Sequence, residues 1–284
     1  MQYQDGCGQN NPDRGYTLKP EKFVFTEIEY SNEYHINALE VRDSEESFIA
    51  PEIVFLGDSY TLGWGVDQEE TYVKQLENRI KRKTLNKSVP SYGTVREMLM
   101  LRKVDRARLK CLIIQYCSDN YDENRLFFVN GNRPQIMRAA TFNNLVVQHS
   151  KAKSYFPGKY IRLKIRKRMD ERKSRQEKRT SENSLNDVDL FIHVLKQNAD
   201  MLSNLPIIVF EMNGINQSNQ FTSELKEKAA KPDQPSFIRN TIILDMSQDL
   251  KERHFYVLDS HLTATGHVIV ADVLYKTILR AGIF

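Results

Sequence analysis

Ile53-Val54-Phe55-Leu56-Gly57-Asp58-Ser59 is the stretch on which the fold turns. Four consecutive apolar residues end abruptly at a glycine, as a strand buried on both faces of a parallel sheet does. The same signature recurs at Cys111-Leu112-Ile113-Ile114, at Pro206-Ile207-Ile208-Val209-Phe210 and at Thr241-Ile242-Ile243-Leu244. It is weaker over 85–89 and at Phe255-Tyr256-Val257-Leu258. Helical spacing fills the intervals. Tyr72, Val73, Leu76 and Ile80 repeat on one face, with Asp67 as a cap ahead of them. Val95, Met98, Leu99 and Leu101 suggest a second helix. Val268, Ile269, Ala271, Val273, Leu274 and Ile278 make a third over about 263–279. Strands alternating with helices predict an α/β protein whose parallel sheet is covered on both sides.

Working outward, residues 1–50 are polar and irregular, and predict an N-terminal extension laid over a main domain at 51–284. Phe23-Val24-Phe25 and Ile28-Glu29-Tyr30 suggest short strands within it. Residues 130–185 interrupt the alternation and read as a basic insertion. Between 151 and 180 there are thirteen Lys or Arg against three acids, a net of +10, so a chain of +4 overall carries −6 elsewhere. The run Lys159-Tyr160-Ile161-Arg162-Leu163-Lys164-Ile165-Arg166-Lys167-Arg168 reads first as a solvated charged helix and second as a contact for an anionic surface. Nucleic acid is not expected as a partner, because the remaining chain is acidic and carries no nucleic-acid motif.

The composition, 40% hydrophobic and 27% charged, suits a soluble globular protein. No apolar run approaches a membrane span, and no signal segment is visible, so a cytoplasmic location is the default expectation. Cys7, Cys111 and Cys117 make no metal or disulfide pattern. Cys111 and Cys117 read as buried thiols, and Cys7 as a thiol in a polar tail that could react, with no base near it.

In parallel sheets, ligands bind beyond the carboxyl ends of the strands. Ser59, Asp119, Asn120, Asp259 and His261 all fall near such ends. A serine nucleophile needs a base within hydrogen-bond reach, and the base needs an orienting group. His261, two residues after Asp259, answers both needs. His267 and His193 read as structural. The cluster Asp119-Asn120-Tyr121-Asp122-Glu123-Asn124 lacks the full pattern of a calcium loop, and no metal or cofactor is expected.

These blocks resemble the SGNH, or GDSL-type, hydrolase superfamily over most of 52–280, leaving the basic insertion aside. The resemblance rests on Ile53-Val54-Phe55-Leu56-Gly57-Asp58-Ser59-Tyr60-Thr61-Leu62-Gly63-Trp64-Gly65-Val66, and on Asp259-Ser260-His261-Leu262-Thr263-Ala264-Thr265-Gly266-His267. Looser matches are Asn86-Lys87-Ser88-Val89-Pro90-Ser91-Tyr92-Gly93-Thr94 and Ile113-Ile114-Gln115-Tyr116-Cys117-Ser118-Asp119-Asn120. Upstream, Ile36-Asn37-Ala38-Leu39-Glu40-Val41-Arg42-Asp43 is similar to a segment often found before the nucleophile, with Glu40 where a glycine is usual.

The resemblance implies a flavodoxin-like three-layer sandwich and a catalytic set of Ser59, His261 and Asp259. It implies an oxyanion hole from the Ser59 backbone, the Ser91 backbone and the Asn120 side chain. Besides Glu40, three departures touch the catalytic set and oxyanion hole. Ser91 stands where a glycine is usual, Asp119-Asn120 reverses the usual Asn-Asp order, and Asp-x-His shortens the usual Asp-x-x-His. The expected activity is an esterase or deacylase on a small-molecule or glycan acyl ester, working through an acyl-serine. The alternatives are an O-acyltransferase acting on a glycan, and a binding module that kept the fold and lost the chemistry.

Overall fold

The computed structural model describes residues 6–152 and 185–284. The basic run at 159–168 and most of the predicted insertion lie outside the described residues.

Among the described residues, nine strands form three sheets. Two are antiparallel hairpins near the N-terminus: β1 (Gly8–Asn11) with β2 (Gly15–Leu18), and β3 (Lys22–Thr26) with β4 (Ser31–His35). The third is parallel throughout and contains β5 (Ile53–Leu56), β6 (Thr84–Asn86), β7 (Cys111–Tyr116), β8 (Ile207–Glu211) and β9 (Ile242–Leu244). Its spatial order is β6-β5-β7-β8-β9. That is the doubly wound order in which the chain reverses direction across the sheet beside its first strand, leaving a crevice at the carboxyl ends of β5 and β7.

The helices among the described residues are α1 (Ser59–Leu62), α2 (Tyr72–Ile80), α3 (Thr94–Leu101), α4 (Asn120–Val129), α5 (Ala139–Ala152), α6 (Asp187–Lys196), α7 (Ala199–Leu202), α8 (Gln220–Ala229), α9 (Ser236–Arg239) and α10 (Ala264–Ala281). Alternation along the central strands divides them between the two faces. Val54, Leu112 and Ile207 are register neighbours and join one core with Val95 and Met98 of α3, Phe191 of α6 and Phe221 of α8. Phe55, Ile113 and Ile208 point the other way, into a core with Val73 and Leu76 of α2 and Val270 and Leu274 of α10. The result is a three-layer α/β sandwich. Ile53, Val54, Phe55 and Leu56 are all fully buried, and each contributes about 1.5–3 kcal/mol of hydrophobic stabilisation.

The sequence-based expectations need correction in several places. Ile28, Glu29 and Tyr30 are not a strand but the tip of the β3–β4 hairpin, which closes with Glu27 N–H donating to the Tyr30 carbonyl at 2.9 Å. Asp67 starts a short 3-10 turn at Gln68–Glu70. The cap of α2 is Thr71, whose hydroxyl accepts from Lys74 N–H at 3.3 Å. Phe255-Tyr256-Val257-Leu258 is no strand: Phe255 bridges to Leu262, and Val257 and Leu258 lie exposed in the turn between. Residues 120–124 open helix α4. Cys7, despite its polar neighbours in sequence, is buried in the core cluster that holds Tyr16 and Leu18, and its carbonyl accepts from Lys19 N–H at 2.9 Å. Cys111 and Cys117 are also buried thiols.

The N-terminal hairpins lie against the rest of the protein. Tyr16 of β2 donates to the Pro90 carbonyl at 2.9 Å and stacks on Phe142 of α5, the described part of the predicted insertion. Among the described residues, no helix is long and apolar enough to cross a membrane.

Candidate active site

Ser59 is the first residue of α1, just past the carboxyl end of β5. The turn is built from polar contacts below it. Asp58 caps the helix, its carboxylate accepting from Tyr60 N–H at 2.9 Å. Gln115 of β7 accepts from Asp58 N–H at 3.1 Å and from the Thr61 hydroxyl at 3.0 Å. Tyr72 donates to that same hydroxyl at 2.6 Å. Gly57 has no space for a side chain: a Cβ there would lie 2.1 Å from Thr61 Oγ1. Burial pushes the Asp58 carboxyl up to about 6, against the lowering pull of the Tyr60 N–H and of nearby His261.

The exit from α1 is tied down by an arginine from the upstream segment. Gly63 takes the left-handed conformation at φ 83° and ends the helix. The Arg42 guanidinium, fully buried, donates to the carbonyls of Gly63 at 2.6 Å, Leu62 at 3.3 Å and Val66 at 2.8 Å. It sits 3.8 Å over the Tyr34 ring. Arg42 lies in the upstream segment and has no role among the sequence-based expectations. The signal was there, since a lone arginine in an apolar setting needs several acceptors.

His261 reaches the serine from the opposite wall. Its Nε2 lies 2.8 Å from Ser59 Oγ, and its Nδ1 lies 2.7 Å from Asp259 Oδ1. The imidazole is 6% exposed and packs between the rings of Tyr60 and Trp64, at centroid distances of 4.9 and 5.8 Å. Between Asp259 and His261, Ser260 adopts the left-handed conformation at φ 67°. His267, one turn into α10, accepts from Tyr72 N–H at 3.1 Å through Nδ1, and burial pushes it down to about 3. It is therefore a neutral structural histidine. His193 pairs with Asn132 at 2.6 Å, away from this site.

The other two expected residues sit differently. Ser91 is exposed and holds φ 59°, the left-handed conformation that a glycine adopts freely. Its carbonyl accepts from Arg96 at 2.6 Å. Glu40, the other position where the resemblance expects glycine, is also left-handed at φ 65°. There the Asn37 side chain accepts from Leu39 and Val41 N–H, and the buried Arg14 pairs with the Glu40 carboxylate at 2.5 Å. Of the reversed pair, Asp119 is exposed and Asn120 is buried. Asn120 donates through Nδ2 to Thr94 Oγ1 at 3.3 Å. Among the described residues, no group of three or more His, Cys, Asp or Glu side chains is placed to hold a metal ion.

No family model and no curated protein matches the chain. Several solved structures are similar to it. One is a protein from Desulfitobacterium hafniense DCB-2 assigned to the lipolytic G-D-S-L family, at 11% identity and TM-score 0.47, covering 79% of this chain and 97% of that one. Another is a salicylyl-acyltransferase from a tetracycline biosynthetic pathway, at 10% identity and TM-score 0.45, covering 83% and 56%. A third is a catalytic mutant of an acetylxylan esterase from Geobacillus stearothermophilus, at 13% identity and TM-score 0.42, covering 80% and 93%. At these scores the likenesses decide nothing about chemistry. The weight falls on the residues themselves.

Proposed function

We propose that the protein is a serine ester hydrolase of the SGNH/GDSL type, working through an acyl-Ser59 intermediate. One observation carries this reading: the continuous relay from Asp259 Oδ1 to His261 Nδ1 at 2.7 Å, and from His261 Nε2 to Ser59 Oγ at 2.8 Å. A base within reach of the nucleophile, itself oriented by a carboxylate, is the arrangement that activates serine. Ser59 and Asp259 are partly exposed, while the His261 base between them is buried.

The steps follow from that geometry. Ser59 Oγ attacks the acyl carbon as His261 Nε2 takes its proton. The tetrahedral intermediate collapses as His261 returns the proton to the departing alcohol, leaving the acyl group on Ser59. Water then attacks as His261 takes its proton, the acyl–Oγ bond breaks as His261 returns that proton to Ser59 Oγ, and the acid leaves. The developing oxyanion is met by the N–H of Ser59, the N–H of Ser91 and the amide of Asn120. A primary amide carries two N–H bonds, so Asn120 can hold Thr94 with one and serve the oxyanion with the other. The same intermediate passes its acyl group to a sugar hydroxyl in a transferase. The product, free acid or acylated glycan, distinguishes the two.

The test is turnover of p-nitrophenyl acetate together with labelling by a fluorophosphonate. Wild-type protein is expected to do both, and Ser59→Ala neither, with a rate loss of about 10³-fold or more. Wild-type protein that neither hydrolyses nor labels overturns the proposal.

A further inference from the structure

The loop that carries Asp259 and His261 has little regular structure of its own. Its backbone N–H groups nevertheless need partners. Those of Tyr256 and Ser260 find them within the loop, and three others find them in the N-terminal hairpin, more than two hundred residues earlier in the chain. The Glu29 carboxylate accepts from three successive N–H groups: Val257 at 2.8 Å, Leu258 at 2.7 Å and Asp259 at 3.2 Å. The next residue, Tyr30, donates its hydroxyl to Asp259 Oδ2, while Oδ1 of the same carboxylate faces His261. Burial, and then the charge of Asp259, push the Tyr30 hydroxyl well above its ordinary range, so it remains a donor at any working pH.

We infer that Glu29 and Tyr30 are positioning residues of the Ser59 site, acting through Asp259, and that the N-terminal hairpin is a working part of that site. Glu29 fixes the backbone of the loop by charge-assisted bonds. Tyr30 fixes the rotation of the Asp259 carboxylate and draws off part of its charge. The inference rests on the hydrolase reading for its kinetic test, but not for its spectroscopic one.

Several charged and titratable groups surround the Asp259–His261 pair. Glu29, Tyr30 and Tyr34 come from the hairpin, and Tyr256 from the loop itself. Asp58 and Tyr60 come from the nucleophile turn, and His267 from α10. Exchanges at Tyr30 and Glu29 leave all the others in place and act on the imidazole with opposite signs. Tyr30→Phe returns the full carboxylate charge to Asp259 and favours the imidazolium. Glu29→Gln removes a negative charge from the loop and disfavours it.

The experiment measures pH profiles of kcat and KM for p-nitrophenyl acetate, and follows His261 by NMR titration of histidine-labelled protein. Tyr30→Phe is expected to lower kcat about tenfold with little change in KM. It should also raise the acid limb and the His261 midpoint by about half a pH unit. Glu29→Gln should move both midpoints down. Lys22→Ala, which breaks an exposed ion pair with Glu33 on the same hairpin, should move neither. A purely structural role would lower stability in both variants without displacing the midpoints in opposite directions. Midpoints that coincide with wild type in both variants overturn the inference. If wild-type protein proves inactive, the hydrolase reading falls, and the NMR midpoints still decide this one.

Discussion

The two halves of the site are held in different ways. On the proton-transfer side, Ser59, His261 and Asp259 meet through side chains at 2.7 and 2.8 Å, walled by Tyr60 and Trp64 and buttressed by Arg42 and Tyr30. On the side proposed to meet the oxyanion, beyond the Ser59 N–H, the groups are the backbone of a left-handed Ser91 and the buried Asn120 amide, which donates to Thr94, with Asp119 exposed beside it. The first half depends on residue identity, and its residues match the expected pattern except for a shortened spacing. The second depends on backbone conformation, and there the sequence departs twice. Conformation can survive a change of residue where local contacts sustain it, and Glu40 illustrates this, left-handed yet anchored by Asn37 and Arg14.

The strongest way to break the comparison is to remove the amide. If Asn120 serves the oxyanion, Asn120→Ala should lower kcat about 100-fold, the cost of one lost donor. KM should change little, since the interaction matters most where charge develops. Asp119→Asn supplies the residue type the resemblance expects at that position and should leave the rate within about threefold. Should the outcomes be exchanged, with Asn120→Ala silent and Asp119→Asn faster, the reversed pair works in the other register. Steady-state kinetics on folded variants separates these results.

How far the sequence alone reaches follows the same division. Strands β5, β7 and β8 were legible because four or more buried apolar residues in a row leave little room for another reading. Ser59, Asp259 and His261 were legible because each lies just past such a run or just before a helix. Ile28-Glu29-Tyr30 was misread as a strand because what defines it, a hairpin tip bonded to residues 257–259, is distant in sequence. Phe255-Tyr256-Val257-Leu258 was misread because its apolar content suggested burial, whereas Val257 and Leu258 are exposed in a turn held by Glu29. Cys7 has polar neighbours in sequence, and its burial in the core cluster with Tyr16 and Leu18 depends on residues that a local pattern does not show. Neither Glu40 nor Ser91 betrays a left-handed backbone by residue type.

On the proton-transfer side, Asp58 offers a test through pH. Its folded carboxyl is pushed up to about 6, above the ordinary value of 3.8. A raised carboxyl costs nothing below the unfolded value, where both states hold the proton. The cost grows as pH rises through the interval and is complete above the folded value. It amounts to on the order of 2–3 kcal/mol. Asp58→Asn keeps an oxygen for Tyr60 N–H and carries no charge. Its stability relative to wild type should therefore rise between about pH 4 and pH 6 and level off above. Urea unfolding across that range measures it, and a difference independent of pH would show that Asp58 is already well solvated or paired.

The smallest expected effect bears on the oxyanion side. Ser91 at φ 59° occupies a region that costs a residue with a Cβ about 1–2 kcal/mol. Glycine removes that cost but frees the unfolded chain, which returns roughly half of the gain. Ser91→Gly is therefore expected to stabilise the fold by about 0.5–1 kcal/mol, read as a higher denaturation midpoint with unchanged slope. Since the backbone keeps its shape, its N–H keeps its direction, and kcat should stay within about twofold. A loss of stability would mean that the serine side chain sustains the turn as Asn37 and Arg14 sustain Glu40. A marked gain in kcat would mean that Ser91 holds its N–H away from the oxyanion and that this half of the site is strained where the other is not.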